Sequence, residues 1–212
     1  MISMLSTIFK MKQFSIILFS LLVMVGCKKP PETTEFDRAA MLTDMSTSII
    51  QPAYEEMSES LTSLKLKSLN FNASPSLTTL NELKTAFNEA YMVFQSCKML
   101  NFGGMEDYGV VGAMNTYPID SNKINQNISA GTYTLGAIDN IQAIGLPTLD
   151  YLLFHKSEVE IIAEFSIDTE ASNRKTYLFD ICDKMESEFN LVLDTWNNTK
   201  VNFSESDGND IG

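Results

Sequence analysis

The sequence predicts an all-α protein, a helical bundle with an irregular segment over about residues 101–145. Apolar residues recur at spacings of three and four in several long stretches, which is the period of one face of a helix. No stretch alternates apolar and polar residues between turn signals, as a half-exposed strand does. The apolar fraction of 44% in 212 residues is enough to form the core of one domain.

The first two helices follow from apolar periodicity around one proline. Apolar side chains recur at helical spacing from Phe36 to about residue 69, with Pro52 inside the run. Because a proline inside a helix removes a backbone hydrogen bond and clashes with the preceding turn, we expect a kink or division near Ile50. A loop over Asn70–Pro75 then leads to Ser76, a typical N-cap residue, and to a second helix through about residue 94.

The rest of the chain divides into an irregular part and further helices. Glycines are concentrated between Asn101 and Gly145, which predicts loops and short helices there. The segment Ser157 to Glu160 has the pattern of a capping box, in which a serine and a glutamate three residues later satisfy each other's backbone donors. It predicts the start of a short helix. The last apolar stripe predicts a long helix over about residues 167–197.

Charge and composition exclude several classes of function. The chain has 27 acidic and 15 basic residues and a net charge of −12. It lacks the basic stripe that displaces phosphate counterions, so nucleic acid is excluded as a partner. A single histidine excludes a zinc site built from several histidines of this chain. No nucleophile elbow and no glycine-rich phosphate loop followed by lysine is present, so no catalytic residue is predicted.

Two of the three cysteines, Cys97 and Cys182, lie in predicted helices. The sequence contains no Cys-x-x-Cys pair, which excludes a zinc ribbon and a thioredoxin-type redox motif. Two interpretations remain open for these cysteines. They form a disulfide, which an oxidising periplasm permits, or each is a small buried apolar residue.

Residues 1–26 have the pattern of a lipoprotein signal peptide. Lys10 and Lys12 precede an apolar run of about 12 residues, which is typical of a signal peptide and too short for a transmembrane helix of about 20. The run ends in Met24-Val25-Gly26-Cys27, which resembles a bacterial lipobox. In such signals the cysteine is lipidated, so we expect Cys27 to anchor the chain in a membrane.

The segment after the cysteine predicts a tether and the membrane in which the protein is anchored. Residues 27–35 are polar and include two adjacent prolines, which indicates a short, stiff tether. The residue after the cysteine is Lys28 instead of aspartate. By analogy with lipoprotein sorting, this favours the outer membrane of the cell envelope.

Three segments in the middle of the chain carry a family resemblance. They are an aromatic-rich segment from Phe87 to Gly104, then Tyr117-Pro118-Ile119-Asp120 with Ile124-Asn125, and then Gly145 to Phe154. In this order they resemble the imelysin-like family, also called the insulin-cleaving peptidase family, whose members are bacterial envelope proteins and often lipoproteins. The resemblance implies a fold of two packed helical bundles. Residues 36–212 then form the N-terminal part of an imelysin-like domain that is incomplete at its C-terminal end.

The third segment aligns with the family motif Gly-x-His-x-x-Glu. Gly145 matches the glycine, Pro147 stands in place of the histidine, and Asp150 stands in place of the glutamate. A histidine and a glutamate three residues apart lie on one helix face and can hold a divalent metal. Proline offers no ligand atom and suits the first turn of a helix. Asp150 is therefore either a carboxylate in that first turn, stabilised by the helix dipole, or a ligand-binding group.

The resemblance also makes Asp120 and Tyr151 candidate ligand-binding residues. A divalent metal or iron is the candidate cofactor, because hard cations prefer the oxygen ligands that such segments offer. No spacing in the sequence assigns metal ligands. The lone histidine, His155, follows Asp150 by five residues and does not share its helix face.

Three functions are compatible with the resemblance. The first is a non-catalytic envelope lipoprotein that binds a ligand or partner and serves iron uptake together with other envelope proteins. The second is a metallopeptidase, as the family name suggests, and Pro147 counts against it. The third is a truncated fragment without function, which would expose apolar surface and aggregate or dimerise.

Overall fold

The computed structural model describes residues 36–205. The predicted signal peptide over residues 1–26, the lipidation site Cys27, the tether over residues 27–35 and the tail over residues 206–212 lie outside the described residues. The chain separates into two units, Met1–Arg38 and Ala39–Gly212. Every regular element between residues 36 and 205 is helical, which confirms the predicted all-α class.

Three long helices and a set of short ones make up this part of the chain. The α-helices are α1 Arg38–Met45, α2 Gln51–Ala73, α3 Leu77–Cys97, α4 Gly104–Asp107, α5 Val110–Met114, α6 Ser121–Ala130, α7 Gly145–Phe154, α8 Glu158–Glu164 and α9 Ala171–Glu205. A π-helical turn, Ser46–Ile50, joins α1 to α2, and 3-10 turns cover Lys98–Leu100 and Ile138–Ala143. The short elements fill the irregular segment that the glycines predict. None of these helices has a stretch apolar and long enough to serve as a transmembrane span.

The predicted division near Ile50 is confirmed. The backbone widens into the π-helical turn directly before α2, and Pro52 occupies the second position of that helix. In that turn the N–H of Gln51 bonds to the carbonyl of Ser46, five residues earlier, and this wider spacing accommodates the proline that follows. The proline therefore marks the start of α2 without breaking it.

The predicted loop over Asn70–Pro75 is too long, because α2 continues to Ala73. The reason is tertiary: Phe71 is fully buried, and its ring packs against that of Phe165 with centroids 5.0 Å apart. The N-cap at Ser76 is confirmed. Its hydroxyl accepts a hydrogen bond from the backbone N–H of Thr79 at 3.2 Å, and the Thr79 hydroxyl accepts one from the backbone N–H of Ser76 at 3.1 Å.

The core lies between α2, α3 and α9, and α7 packs against α3 and α9. Tyr54 of α2 illustrates the packing, since its ring meets Phe189 and Trp196 of α9 edge-on at 5.9 and 5.8 Å. Its hydroxyl donates to the carbonyl of Leu100 at 3.0 Å. Edge-to-face aromatic pairs of this kind add to the stabilisation from burial alone.

The last helix begins and ends later than predicted. It starts at Ala171 because the chain turns after α8, leaving Ile167 85% exposed in that turn. It continues to Glu205 because Phe203 stacks on Phe102 at 5.8 Å and meets Trp196 edge-on at 5.4 Å. Trp196 is the last residue of the apolar stripe that predicts this helix, and Phe203 and Phe102 lie outside that stripe.

Cys97 and Cys182 are both free and buried, so the disulfide interpretation is wrong and the small-apolar interpretation is confirmed. Burial raises the pKa of each thiol to about 12. Because the thiolate is the reactive form of cysteine, neither group is reactive at neutral pH in the folded protein.

We therefore expect dithiobis-nitrobenzoate to leave both thiols unmodified in the native protein and to label both in urea. A Cys27→Ser variant restricts the measurement to these two residues. The absorbance of the released thiolate, followed over time, counts them. Fast labelling of one thiol without denaturant would contradict its burial.

Candidate functional site

The start of α7 is held against the end of α5 by the backbone at Gly145. Its φ is +77°, and a Cβ at this position would lie 2.6 Å from the carbonyl oxygen of Met114 and 2.7 Å from that of Ala113. A side chain would have to displace two backbone carbonyls. Only glycine therefore allows this approach, which brings the family-like segment into contact with the irregular region.

Pro147 is buried in the first turn of α7, at the position where the family motif has histidine. A helix start has free N–H groups, so the proline loses no hydrogen bond there. The predicted helix start at this proline is confirmed, since α7 begins at Gly145. The residue contributes packing and offers no ligand atom.

Asp150 lies in the second turn of α7, as the sixth residue of the helix. The interpretation that places it in the first turn, stabilised by the helix dipole, is therefore wrong, because that effect is confined to the terminal turn. The side chain is exposed, and no hydrogen bond or ion pair of its carboxylate is found among residues 36–205. Burial of its flanks raises the pKa of the carboxyl group.

Tyr117, in the loop after α5, is within electrostatic range of Asp150 and also interacts with Tyr91. The pKa of Tyr117 is raised by burial first, then by its interaction with the hydroxyl of Tyr91, and also by the negative charge of Asp150. Tyr117 is nevertheless 60% exposed. Tyr91 is on α3, where its ring stacks on that of Phe87 at 6.0 Å. Tyr117 thus interacts with the half-buried Tyr91 of α3 and with the exposed carboxylate of Asp150 on α7.

The other two candidate residues have structural partners. The hydroxyl of Tyr151 accepts a hydrogen bond from the Asn125 side-chain amide at 3.4 Å. Asp120 is the N-cap of α6, and its carboxylate accepts a hydrogen bond from the backbone N–H of Lys123 at 2.9 Å. A cap explains an aspartate at this position without a ligand.

A largely buried charged cluster lies next to Tyr151 and has no signal in the sequence. The ring of His155 stacks on that of Tyr151 at 4.6 Å, and Nδ1 donates to the Tyr151 carbonyl oxygen at 2.7 Å. Its Nε2 lies 3.3 Å from Oε2 of Glu164, and Oε2 also lies 3.9 Å from the guanidinium of Arg174. The other carboxylate oxygen of Glu164, Oε1, contacts the ammonium group of Lys156. The cluster thereby joins the end of α7 to α8 and α9.

The arrangement determines which ligands the site could hold. Within residues 36–205, no three His, Cys, Asp or Glu side chains come together in a group that could hold a metal ion. The exposed carboxylate of Asp150 offers oxygen ligands of the kind that hard cations prefer. Tyr91 and Tyr117 are within the family-like segments, but their sequence separation from Asp150 gives no sign of their proximity.

Two solved structures are similar to this chain. One is a Parabacteroides distasonis ATCC 8503 protein assigned as an iron-regulated protein A precursor, with a TM-score of 0.68 and 19% identity over 87% of this chain and 53% of that one. The other is an imelysin-like protein from Psychrobacter arcticum 273-4, with a TM-score of 0.63 and 16% identity over 81% of this chain and 55% of that one. At these identities the likeness shows the fold. The chain spans about half the length of both proteins.

Sequence comparison gives the family directly. No curated protein sequence matches the chain. The family model Imelysin (Peptidase_M75) matches residues 50–210, which is more than half of the chain. The matched range covers α2 to α9 and includes all three segments that carry the resemblance. This chain therefore belongs to the imelysin family.

Proposed function

We propose that this protein is a bacterial envelope lipoprotein that binds a ligand without catalysis and serves iron uptake. The observation that carries the proposal is the exposed carboxylate of Asp150 at the position of the family motif, whose negative charge acts on the exposed Tyr117. Asp150 is exposed there without a hydrogen bond or ion pair within residues 36–205. A carboxylate that its own fold does not pair is available to a bound partner.

A link to iron is supported by the ligand chemistry and by one similar structure. The carboxylate of Asp150 offers oxygen ligands, which suit a divalent metal or iron. One similar structure is that of a protein assigned as iron-regulated. The partners that this proposal implies for the protein are other iron-uptake proteins of the cell envelope.

A non-catalytic role is supported by the replacement of the motif histidine. A metallopeptidase needs a bound metal that activates water. At the position of the metal-ligating histidine this chain has Pro147, whose ring is buried in the first turn of α7. The family description nevertheless includes the word peptidase, so cleavage is tested directly below.

The lipid anchor is proposed from the sequence of the first 27 residues, with the outer membrane as its location. A Cys27→Ser variant removes the only thiol that the lipobox pattern would modify. We expect the wild-type protein to sediment with membranes and the variant to remain in the soluble fraction of lysed cells. Immunoblotting of the two fractions measures this, and equal membrane association of the two proteins would refute the anchor.

Complementation of a deletion strain tests the iron-linked role. Under iron limitation, wild-type protein is expected to restore growth and cell iron, whereas Asp150→Asn and Tyr117→Phe are expected to fail. Tyr108→Phe is the matched control, because Tyr108 is an exposed tyrosine that hydrogen-bonds to Thr195 outside this site. Restoration of cell iron by all variants would rule out the site.

Zinc-dependent cleavage of an unfolded protein substrate by purified wild type, lost in Asp150→Asn, would establish the peptidase alternative.

The raised pKa of Asp150 predicts that this residue lowers stability at neutral pH. Because its pKa is higher in the folded than in the unfolded state, the folded state binds the proton more tightly, and stability falls as pH rises through this window. Asp150→Asn is therefore expected to raise the urea midpoint at pH 7. The difference should disappear well below 3.8, the ordinary value for aspartate. A lower midpoint for the variant at pH 7 would show that the carboxylate has a stabilising partner.

A further inference from the structure

The methionines of residues 36–205 differ sharply in their exposure to solvent. Met92 is 69% exposed and Met99 is 80% exposed. Met41, at 39%, and the half-buried Met45 are intermediate. The methionines of the core are at most 2% exposed: Met57, Met105, Met114 and Met185. An oxidant dissolved in water therefore reaches the sulfur atoms of Met92 and Met99 most readily.

Met92 and Met99 lie on one side of α3 and of the 3-10 turn that extends it. They are seven residues apart in the sequence, which is about two helical turns. Asn88 and Ser96, one turn before and one turn after Met92, are exposed as well. Within residues 36–205, neither methionine belongs to the hydrophobic core or packs against it. The packing of the fold therefore places no demand on these two thioethers.

A thioether reacts with hydrogen peroxide by transfer of one oxygen atom. A lone pair of the sulfur attacks one peroxide oxygen, so that an S–O bond forms and the O–O bond breaks. The sulfur is oxidised by two electrons to a sulfoxide, and the other oxygen leaves as water with both hydrogens. The reaction turns an apolar side chain into a polar one, which water solvates at a surface and which disrupts a core.

The same product has opposite consequences in the two environments. Met57 of α2 and Met185 of α9 belong to the core cluster, where a sulfoxide oxygen would be a buried acceptor without a donor. At Met92 and Met99 that oxygen would be hydrated, and no core contact would be lost. The fold therefore leaves thioethers open to oxidants at positions where it also tolerates the product.

We propose that Met92 and Met99 form a reversible oxidation site of the folded protein, with peroxides as the oxidants. Methionine sulfoxide reductases are the reducing partners. In the reverse step the sulfoxide oxygen leaves as water, and two thiols are oxidised to a disulfide. Both residues lie on one exposed side of a helix, where such an enzyme reaches them without unfolding the chain. The inference does not rest on the proposed function, because peroxide reaches an exposed thioether whatever Asp150 binds.

Treatment of the purified wild-type protein with hydrogen peroxide at neutral pH, followed by tandem mass spectrometry of its peptides, tests the proposal. We expect Met92 and Met99 to gain one oxygen about tenfold or more faster than the core methionines, which are the internal control. In urea the core methionines should react as fast as Met92. Oxidation of both sites should shift the melting temperature by less than about 2 °C, as other surface changes do. Reductases for both sulfoxide epimers, supplied with a dithiol, should then remove the oxygen from the native protein.

A second measurement follows the same residues in cells that receive a pulse of peroxide. The oxidised fraction of Met92 and Met99 is expected to rise and then return to its starting value, and to stay high in a strain without the reductases. Oxidation of Met57 at the rate of Met92 in the native protein would overturn the proposal. A sulfoxide at Met92 or Met99 that the reductases leave in place, or a clear loss of thermal stability on oxidation of these two residues, would overturn it as well.

Discussion

Replacing Gly145 with alanine is expected to lower the free energy of unfolding by about 2–5 kcal/mol. A left-handed backbone conformation costs a residue with a Cβ about 1–2 kcal/mol, and forced overpacking costs about 1–3 kcal/mol. Both apply here, since φ is +77° and the added atom would lie 2.6 Å from the carbonyl oxygen of Met114. Small domains are stable by only about 5–15 kcal/mol, so urea denaturation should show a large loss.

Substitutions at two other glycines separate the backbone cost of Gly145→Ala from its overpacking cost. Gly109 has a φ of +61° but no atom within 4 Å of an added Cβ, so Gly109→Ala should cost only about 1–2 kcal/mol for the backbone. Gly112 has neither constraint, and Gly112→Ala should stabilise the protein by about 0.5–1 kcal/mol. If Gly145→Ala costs no more than Gly109→Ala, the backbone of α5 yields to the added methyl group and the close approach is not required.

Replacing Glu164 with leucine is expected to lower the free energy of unfolding by up to about 3–5 kcal/mol, because the buried charge of Arg174 then keeps only a partly exposed partner. The Glu164 side chain is only 11% exposed and lies between Lys156, His155 and Arg174. Arg174 is itself only 8% exposed at its side chain, and its remaining carboxylate is Glu170 at 3.9 Å. The loss should appear as a lower urea midpoint with an unchanged slope.

A second substitution distinguishes an unpaired charge from lost packing. In Glu164→Leu with Arg174→Leu, both charges are removed, so most of the stability should return. Lys156→Met is the control for the exposed part of the cluster. That side chain is 45% exposed, and we expect a change below about 1 kcal/mol. A double variant as unstable as the sum of the single variants would show that the cluster acts through packing instead of charge.

The helices were predictable from the sequence because their determinants are local. Ser76 and Thr79 form a cap within four residues, and Pro52 acts on the turn that precedes it. The family-like segments were also readable in order along the chain, and the family model matches residues 50–210. Each of these signals depends on neighbours within a few positions, so no knowledge of the packing was needed.

Helix ends and pairings depended on contacts between distant residues. The end of α2 follows from the contact of Phe71 with Phe165, and that of α9 from the contact of Phe203 with Phe102. The sequence did not decide whether Cys97 and Cys182 form a disulfide, because spacing along a chain does not give the distance between two side chains on different helices. The structure shows both thiols free.

The sequence by itself determined the helical class, the caps and the replacement of the motif histidine by Pro147. Only the tertiary structure decided what surrounds Asp150. Asp150 lies in the second helical turn instead of the first, and Tyr117 from another part of the chain lies within range of its charge. The physical reason is that backbone hydrogen bonding and helix periodicity act within one or two turns. The surroundings of a side chain depend on how whole helices pack, and here that packing depends on the close approach at Gly145.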